Sequence, residues 1–509
     1  MIELKRARNS LLNISKLPPE VLGNIFQWNV SLKNRFDGLE RGSRNFLFVC
    51  HHWLQVALRT PEVWSFWGNT PPEWARWHRC SGTAPLDLVL GGVDHDDGTF
   101  DVTLRNTLQD RAARDAIRRV HLWSGSAAFL TAIISSLTVV REGVRSNSVE
   151  SLVLFNDDNT PVDTSDFFAH YRFPKLRRLE LDNCRIASWD LLVSRTTVLI
   201  ILILHLGHPS ATPTTSQLLS ILASNPTLQK VSLSGPAVPD DGGGVSPFQV
   251  PLHHVKELEL AGGLRHVIGL LLRLDYPTNM DRLDITVRNC TIVDMSQTIG
   301  PYLRDYLRRR GRSQNRLGLS VSKSGRHITL CAADIDAIDP SPLVWAQVST
   351  FVEIIMELDE LHRDLLEKGV LDLISHVPRD EIICFRSWGD PVAVRDISAQ
   401  FPNLRALHFG AMSLPPVFQE PNLDGNGELL PSLRHIFAER MSVGSHGWNP
   451  LVAFLVHRAS SGNPLGSLTI VDSPHICLRE KGLIRGLVQE FRFDRLEKRC
   501  PYHGFCREQ

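Results

Sequence analysis

The chain has 509 residues, 43% hydrophobic and 22% charged, a balance that supports a large core and excludes wholesale disorder. Its 55 basic and 55 acidic residues cancel, so no global field draws it to nucleic acid or to an anionic membrane. Nine cysteines, odd in number and mostly far apart, make poor material for a disulfide framework and suit a reducing compartment, so a cytoplasmic or nuclear setting is expected.

Residues 1–16 form a basic extension without the apolar run of a signal peptide. In LPPEVLGNIF (17–26), Val21, Leu22, Ile25 and Phe26 recur at helical spacing. Pro18 and Pro19 suit the start and first turn of a helix, where a missing N–H costs nothing, and Glu20 favours its positive end. Leu17 precedes the helix and is left to touch something else. Beyond a polar stretch, Ser43 is a candidate N-cap for a second helix, whose apolar stripe is Phe46, Val49, Cys50, Trp53, Val56 and Ala57. TPEVW (60–64) predicts a third helix with Thr60 as cap and Pro61 at its first position. Three helices this short bury little by themselves and gain by packing on a partner or on the following domain.

The texture changes near residue 85, where an L-x-x-L-x-L pattern begins to recur, usually behind a polar or proline-containing turn. LRRLELDNCRI (176–186) is its clearest copy; IRRVHL (117–122), VESLVL (149–154), LQKVSL (228–233), VKELEL (255–260), LRALHF (404–409), LRHIFA (433–438) and LGSLTI (465–470) are others. The early copies end at 122, 154, 181, 233 and 260, so they are 27 to 32 residues apart except for one gap of 52. A further copy within VLIILILHL (198–206) splits that gap; nine apolar residues fall far short of the roughly 20 that cross a bilayer, and a buried strand is predicted there. SQLLSILASNP (216–226) supplies a helix ahead of its strand. The stretch 293–400 is irregular, with one or two helices predicted over 352–375. The whole reads as an α+β or α/β chain: parallel strands with alternate residues in one core, and helices closing the other side. Arg177, Arg178 and Glu180, lying between the leucines, then line the open face of a curved sheet and are candidate target-binding residues.

The N-terminal residues LPPEVLGNIF, VCHHW and TPEVW, taken together, resemble the F-box, with Leu17, Pro18, Glu20, Leu22, Ile25, Phe26, Val49, Cys50, Trp53, Pro61 and Trp64 in the family's order. The TPEVW ending followed by RCSGTAPLDLVL (79–90) looks like the F-box-like families of mushroom-forming fungi. The later half is similar to F-box leucine-rich-repeat proteins in general character. Residues 27–45 form a longer and more polar connection than the family has, and no adaptor contact is assigned to them. The resemblance implies a non-catalytic substrate receptor of an SCF-type ubiquitin ligase. Its expected partners are a Skp-type adaptor, a cullin–RING ligase reached through that adaptor, and a target protein; no cofactor, metal, membrane or nucleic acid is expected. The implied adaptor-binding residues are Leu17, Pro18, Leu22, Ile25 and Val49, with Phe26, Trp53 and Trp64 in the F-box core. The implied layout is an extension (1–16), a three-helix F-box-like domain (17–67), a connector (68–84), a leucine-rich-repeat-like solenoid (85–478), and a C-terminal helix and tail (479–509). The alternative is a repeat scaffold without a ubiquitin role, its N-terminal helices serving as a cap.

Other motifs are weaker. CPYHGFC (500–506) offers three ligands, Cys500, His503 and Cys506, but no fourth for structural zinc. VDHDDG (93–98) starts like a calcium loop without its later ligands. The basic run YLRDYLRRRGRSQNR (302–316) reads as a solvated helix end and loop, and GGG (242–244) lacks the Lys-Ser/Thr of a phosphate loop. No Ser-His-Asp order or nucleotide fingerprint stands out.

Overall fold

The computed structural model describes residues 13–33, 41–68, 71–91, 106, 113, 115–124, 126–138, 145–146, 148–207, 212–235, 249–277, 280–291, 293, 295–310, 316–324, 327–335, 350–358, 371–388, 400–410, 430–441, 448–473 and 478–494. The motifs at 93–98, 242–244 and 500–506 lie outside them. The chain divides into two compact units, residues 1–255 with 273–276 and residues 256–272 with 277–509.

The first unit opens with helix α1 (Pro19–Lys33), a 3-10 turn (Arg41–Phe48), α2 (His51–Leu58) and a short 3-10 turn (Pro61–Val63). Two expectations change. Ser43 lies inside the 3-10 turn rather than capping a helix, and α2 starts behind Cys50. The cause is Arg44: its guanidinium lies 3.7 Å from the centre of the Trp77 ring and donates to Phe66 O at 2.8 Å. Its backbone leaves helical values at φ −116°, ψ 22°. The third helix shrinks to one turn, and Thr60 spends its hydroxyl on Val56 O at 2.9 Å.

A two-residue strand β1 (Phe66–Trp67) and helix α3 (Pro71–Ser81) follow. β1 pairs with β2 (Leu86–Gly91), which starts a parallel sheet continued in chain order by β3 (Ile117–Ser124), β4 (Ser151–Asn156), β5 (Arg178–Asp182), β6 (Ile201–His205) and β7 (Lys230–Ser234). Helices α4 (Ala127–Thr138), α5 (Ser165–His170), α6 (Asp190–Arg195) and α7 (Thr215–Ser224) alternate with the strands. α7 starts on a capping box between Thr214 and Gln217. Register sets Val120, Leu152, Leu179, Leu202 and Val231 abreast, and Leu122, Leu154, Leu181, Leu204 and Leu233 in the next row. All ten are buried, each contributing about 1.5–3 kcal/mol as apolar surface leaves water.

Two local devices recur before and after strands. A proline turn precedes them: Leu176, Leu228, Leu404 and Leu433 each donate to the carbonyl three residues back, on Phe173, Asn225, Phe401 and Leu430. Proline follows the first residue of each turn, where its fixed φ suits position two. Directly after β5, Asn183 turns the chain with φ 49°, a conformation asparagine tolerates better than most residues.

In the second unit the strands are β8 (Glu257–Gly263), β9 (Arg282–Cys290), β10 (Arg316–Ser324), β11 (His327–Ile335), β12 (Thr350–Leu358), β13 (Ile382–Trp388), β14 (Ala406–Gly410), β15 (His435–Glu439), β16 (Leu465–Val471) and β17 (Val488–Asp494). Their spatial order is β8, β9, β12, β11, β10, then β13 to β17, parallel except that β11 runs antiparallel to both its neighbours. Helices α8 (Leu264–Leu271), α9 (Gly300–Arg310), α10 (Asn449–Ser460) and α11 (Leu478–Leu487) are described in this unit. Of the one or two helices predicted over 352–375, residues 371–375 are helical, but 352–358 belong to strand β12, with Ile354 and Met356 buried and Glu353 and Ile355 partly exposed between them, a period of two. The sheet also continues past the predicted boundary at 478, because β17 pairs with β16.

Among the described residues the structure is thus mixed α/β with large, mostly parallel sheets and helices between strands. No described helix is long and apolar enough to cross a membrane.

Candidate functional site

Helix α1 has two apolar faces. Leu22, Phe26 and Val30 form one and are buried. Val21, Ile25 and Trp28 form the other, about 100° round the helix, and stay 41%, 43% and 69% exposed. Behind the same module, Phe48 and Val49 are 85% and 54% exposed. Single exposed apolar residues are ordinary, but a helix stripe with its own hydrophobic neighbours is not.

The buried face is held by aromatic contacts. Phe26 packs on Trp53, ring centroids 5.2 Å apart, and Trp64 donates its indole N–H to Ala57 O at 2.7 Å. Phe26 and Trp64 are core residues and Trp53 is half-buried. Of the five residues expected to meet an adaptor, Pro18, Ile25 and Val49 are exposed and Leu17 is half-buried. Leu22 is a correction: it is fully buried within this chain, because its helical position falls on the Phe26 side, and its role is to hold α1 in place. Val21, Trp28 and Phe48 join the exposed set.

The second candidate surface is the face of the first sheet opposite the leucine rows. Register builds the row Asp87, Arg119, Ser151, Arg178, Ile201 and Lys230, and above it Gly91, Trp123, Phe155, Asp182, His205 and Ser234. Trp123 lies across Gly91, where a Cβ would fall 2.0 Å from its ring. Asp87 faces Arg119 at 3.3 Å and Arg118 at 3.6 Å. Burial nevertheless pushes the Asp87 carboxyl above its ordinary range, against the pull of both arginines. The predicted pair Arg178 and Glu180 share this face and bond each other at 2.6 Å, whereas Arg177 sits just ahead of the strand, its carbonyl taking the N–H groups of Ile200 and Ile201.

One grouping was not visible as a motif. His205 Nδ1 lies 3.3 Å from Asp182 Oδ2, and its Nε2 lies 3.4 Å from Ser232 Oγ. The order is that of an acyl-transfer triad. Ser232 is 1% exposed in mid-strand, however, which leaves its hydroxyl no approach to a substrate carbonyl. The trio is a polar ladder across three strands.

On the second sheet, Glu259, Asp284 and Glu353 stand abreast, with Arg282 donating to Asp284 at 2.7 Å and forming a looser ion pair with Glu353 at 3.7 Å. Burial raises both Asp284 and Glu353 against the pull of Arg282, and neighbouring carboxylates add to the rise. Burial, then Glu353, pushes the nearby Cys331 thiol up to about 12, so it is no nucleophile. Among the described residues, no group of three or more His, Cys, Asp or Glu is arranged to hold a metal ion. Compared with protein-family models and with curated proteins, the chain matches none.

Proposed function

We propose that this chain is the target-recognition subunit of an SCF-type ubiquitin ligase. Its N-terminal helices dock on a Skp-type adaptor, and the open sheet faces hold the target protein. The observation that carries the reading is the two-sided helix α1: one apolar face fills the module's own core, and Val21 and Ile25 on the other stay exposed. A partner helix laid on that stripe removes it from water. The F-box resemblance supplies the partner's identity, with Leu17, Pro18, Ile25 and Val49 on the docking side.

The target half draws support from the recurring proline turn and parallel strand, with helices interspersed, as expected of a leucine-rich-repeat-like solenoid. Such repeats present rows of varied side chains on one face. Function then follows from tethering. A target held beside a ubiquitin-charged enzyme meets it at an effective concentration of roughly millimolar.

The test is capture of a Skp-type adaptor by the full chain and by its Ile25→Asp and Val49→Asp variants. Wild type retains the adaptor and each variant loses at least about tenfold, the cost of a charge in a buried interface, with circular dichroism unchanged. Equal capture by all three rejects the reading.

A non-ubiquitin scaffold with a helical cap is favoured by β1, whose buried Trp67 joins the sheet edge beside Leu88. A cap of that kind predicts that neither substitution matters. Deleting the whole module does not separate the readings, since it strips the edge strand in both.

A further inference from the structure

Arg386 and His408 stand directly abreast on β13 and β14, on the face opposite buried Phe385, Leu407 and Phe409. His408 is 4% exposed, yet neither ring nitrogen has a hydrogen-bond partner among the described residues. The Glu439 carboxylate stops 3.7 Å from its Nε2. Arg386 Nε is likewise buried and has no hydrogen-bond partner among the described residues. Trp388 lies 5.0 Å from the guanidinium carbon and meets the imidazole edge-on at 6.3 Å, while Phe437 packs edge-on against the same ring at 4.4 Å. Gly410 makes room for Trp388, because a Cβ there would fall 2.3 Å from the indole ring.

Each orphaned buried nitrogen destabilises the fold, since it gave up water for no partner. Apolar residues at both positions would avoid that cost, so packing alone does not account for this pair. Charge is also disfavoured here: burial lowers Arg386, and burial followed by Arg386 lowers His408 to about 3. Aromatic walls around a desolvated arginine match the make-up of a binding hot spot. Among the described residues, no carboxylate comes within hydrogen-bonding distance of the His408 ring nitrogens or of Arg386 Nε. Glu439 attracts Arg386 through space, but it is carried by β15, on the far side of β14 from Arg386, and also lies 3.9 Å from Arg440.

We propose that Arg386 and His408, walled by Trp388 and Phe437, form a subsite for an oxyanion of the target, a side-chain carboxylate or a phosphoryl group. The inference rests on the target-binding role argued above. The guanidinium edge offers a planar fork to two oxygens, and the neutral imidazole donates from whichever nitrogen carries its hydrogen.

The experiment follows the His408 imidazole by NMR in the full chain carrying ¹³C-histidine, titrated separately with inorganic phosphate, acetate and the neutral control acetamide. Saturable shifts with one or both oxyanions, none with acetamide, and roughly tenfold weaker binding in Arg386→Met are expected. The tighter of the two oxyanions tells phosphoryl from carboxylate. No saturable shift with either oxyanion, an equal response to acetamide, or undiminished binding in Arg386→Met overturns the proposal. Should Arg386→Met unfold, Arg386→Lys keeps the charge without the fork, and unchanged affinity there is equally fatal. No adaptor is present in the titration, so its failure leaves the docking test intact.

Discussion

Phe26 stacks on Phe46 with ring centroids 4.4 Å apart and planes 7° from parallel. Its chain neighbour Ile25 projects from the other side of the same helix and is 43% exposed. One helix therefore separates a residue that holds the module from one that is free to hold something else.

That separation sets the first prediction. Phe26→Ala leaves a cavity and costs about 3–5 kcal/mol, exposing the N-terminal helices to protease. Ile25→Ala changes stability by less than about 0.5 kcal/mol but weakens adaptor capture. Limited proteolysis alongside capture reads both. Equal destabilisation by the two substitutions would mean that the second face is covered within the chain, and the docking surface would go with it.

A second contact depends on a missing side chain. A Cβ on Gly23 would meet Thr60 Oγ1 at 3.0 Å and Cγ2 at 3.3 Å, and Thr60 is held by its bond to Val56 O. Alanine at 23 gains about 1 kcal/mol of helix propensity and loses it to crowding. A double-mutant cycle of Gly23→Ala with Thr60→Ala should therefore show a coupling of at least about 0.5 kcal/mol, alanine 23 being better tolerated once Thr60 is shortened. Additive unfolding energies would contradict the contact.

Much of this architecture was legible. Leu179 and Leu181, two apart behind a proline turn, announce a strand because alternate residues reach one core. The same spacing located β3, β6 and β7. Strand β12 escaped because its apolar residues fit both periods over a short run, and pairing with β9 and β11, distant in the chain, decides the matter. The 3-10 turn at 41–48 escaped for a similar reason, since Arg44 is fixed by Trp77. In the candidate site, Ile25 and Val49 came from the F-box resemblance, and both are exposed. Leu22 was misplaced because periodicity groups apolar residues without saying which face meets the chain's own core. Neither Asp182–His205–Ser232 nor Arg386–His408 could be seen before strand register brought them together.

A third prediction concerns Arg458 of α10. It is buried and donates to Leu430 O at 2.7 Å and Leu433 O at 2.9 Å, tying the helix to the turn ahead of β15. Arg458→Met keeps most of the apolar contact but removes the donor to Leu433 O, at about 1–3 kcal/mol, and leaves Leu430 O with the Leu433 N–H of the turn. Arg458→Lys retains charge but lacks the fork that spans both. Urea unfolding should rank wild type above Lys and Lys above Met; a Met variant as stable as wild type would remove the tie.

The last prediction is a pH dependence from His408. Its folded value is lowered to about 3, by burial first and by Arg386 second, whereas the unfolded chain titrates near the ordinary value of 6.5. Above that value both states are neutral and the group contributes no pH slope. Between 6.5 and about 3 the unfolded state takes a proton that the folded state refuses, so stability falls as the solution is acidified. One proton corresponds to about 1.4 kcal/mol per pH unit. Asp284 and Glu353, both raised in the folded state, work in the opposite sense, because folding takes up their protons as pH falls. The informative quantity is therefore the difference between wild type and His408→Leu, followed through hydrogen exchange at Leu407 and Phe409. Between pH 6 and 4 the wild-type opening free energy should drop faster than the variant's by close to one proton's worth. Parallel curves would mean that the imidazole is charged, or reached by water, in the folded chain, and that the dry cluster around Arg386 does not exist in solution.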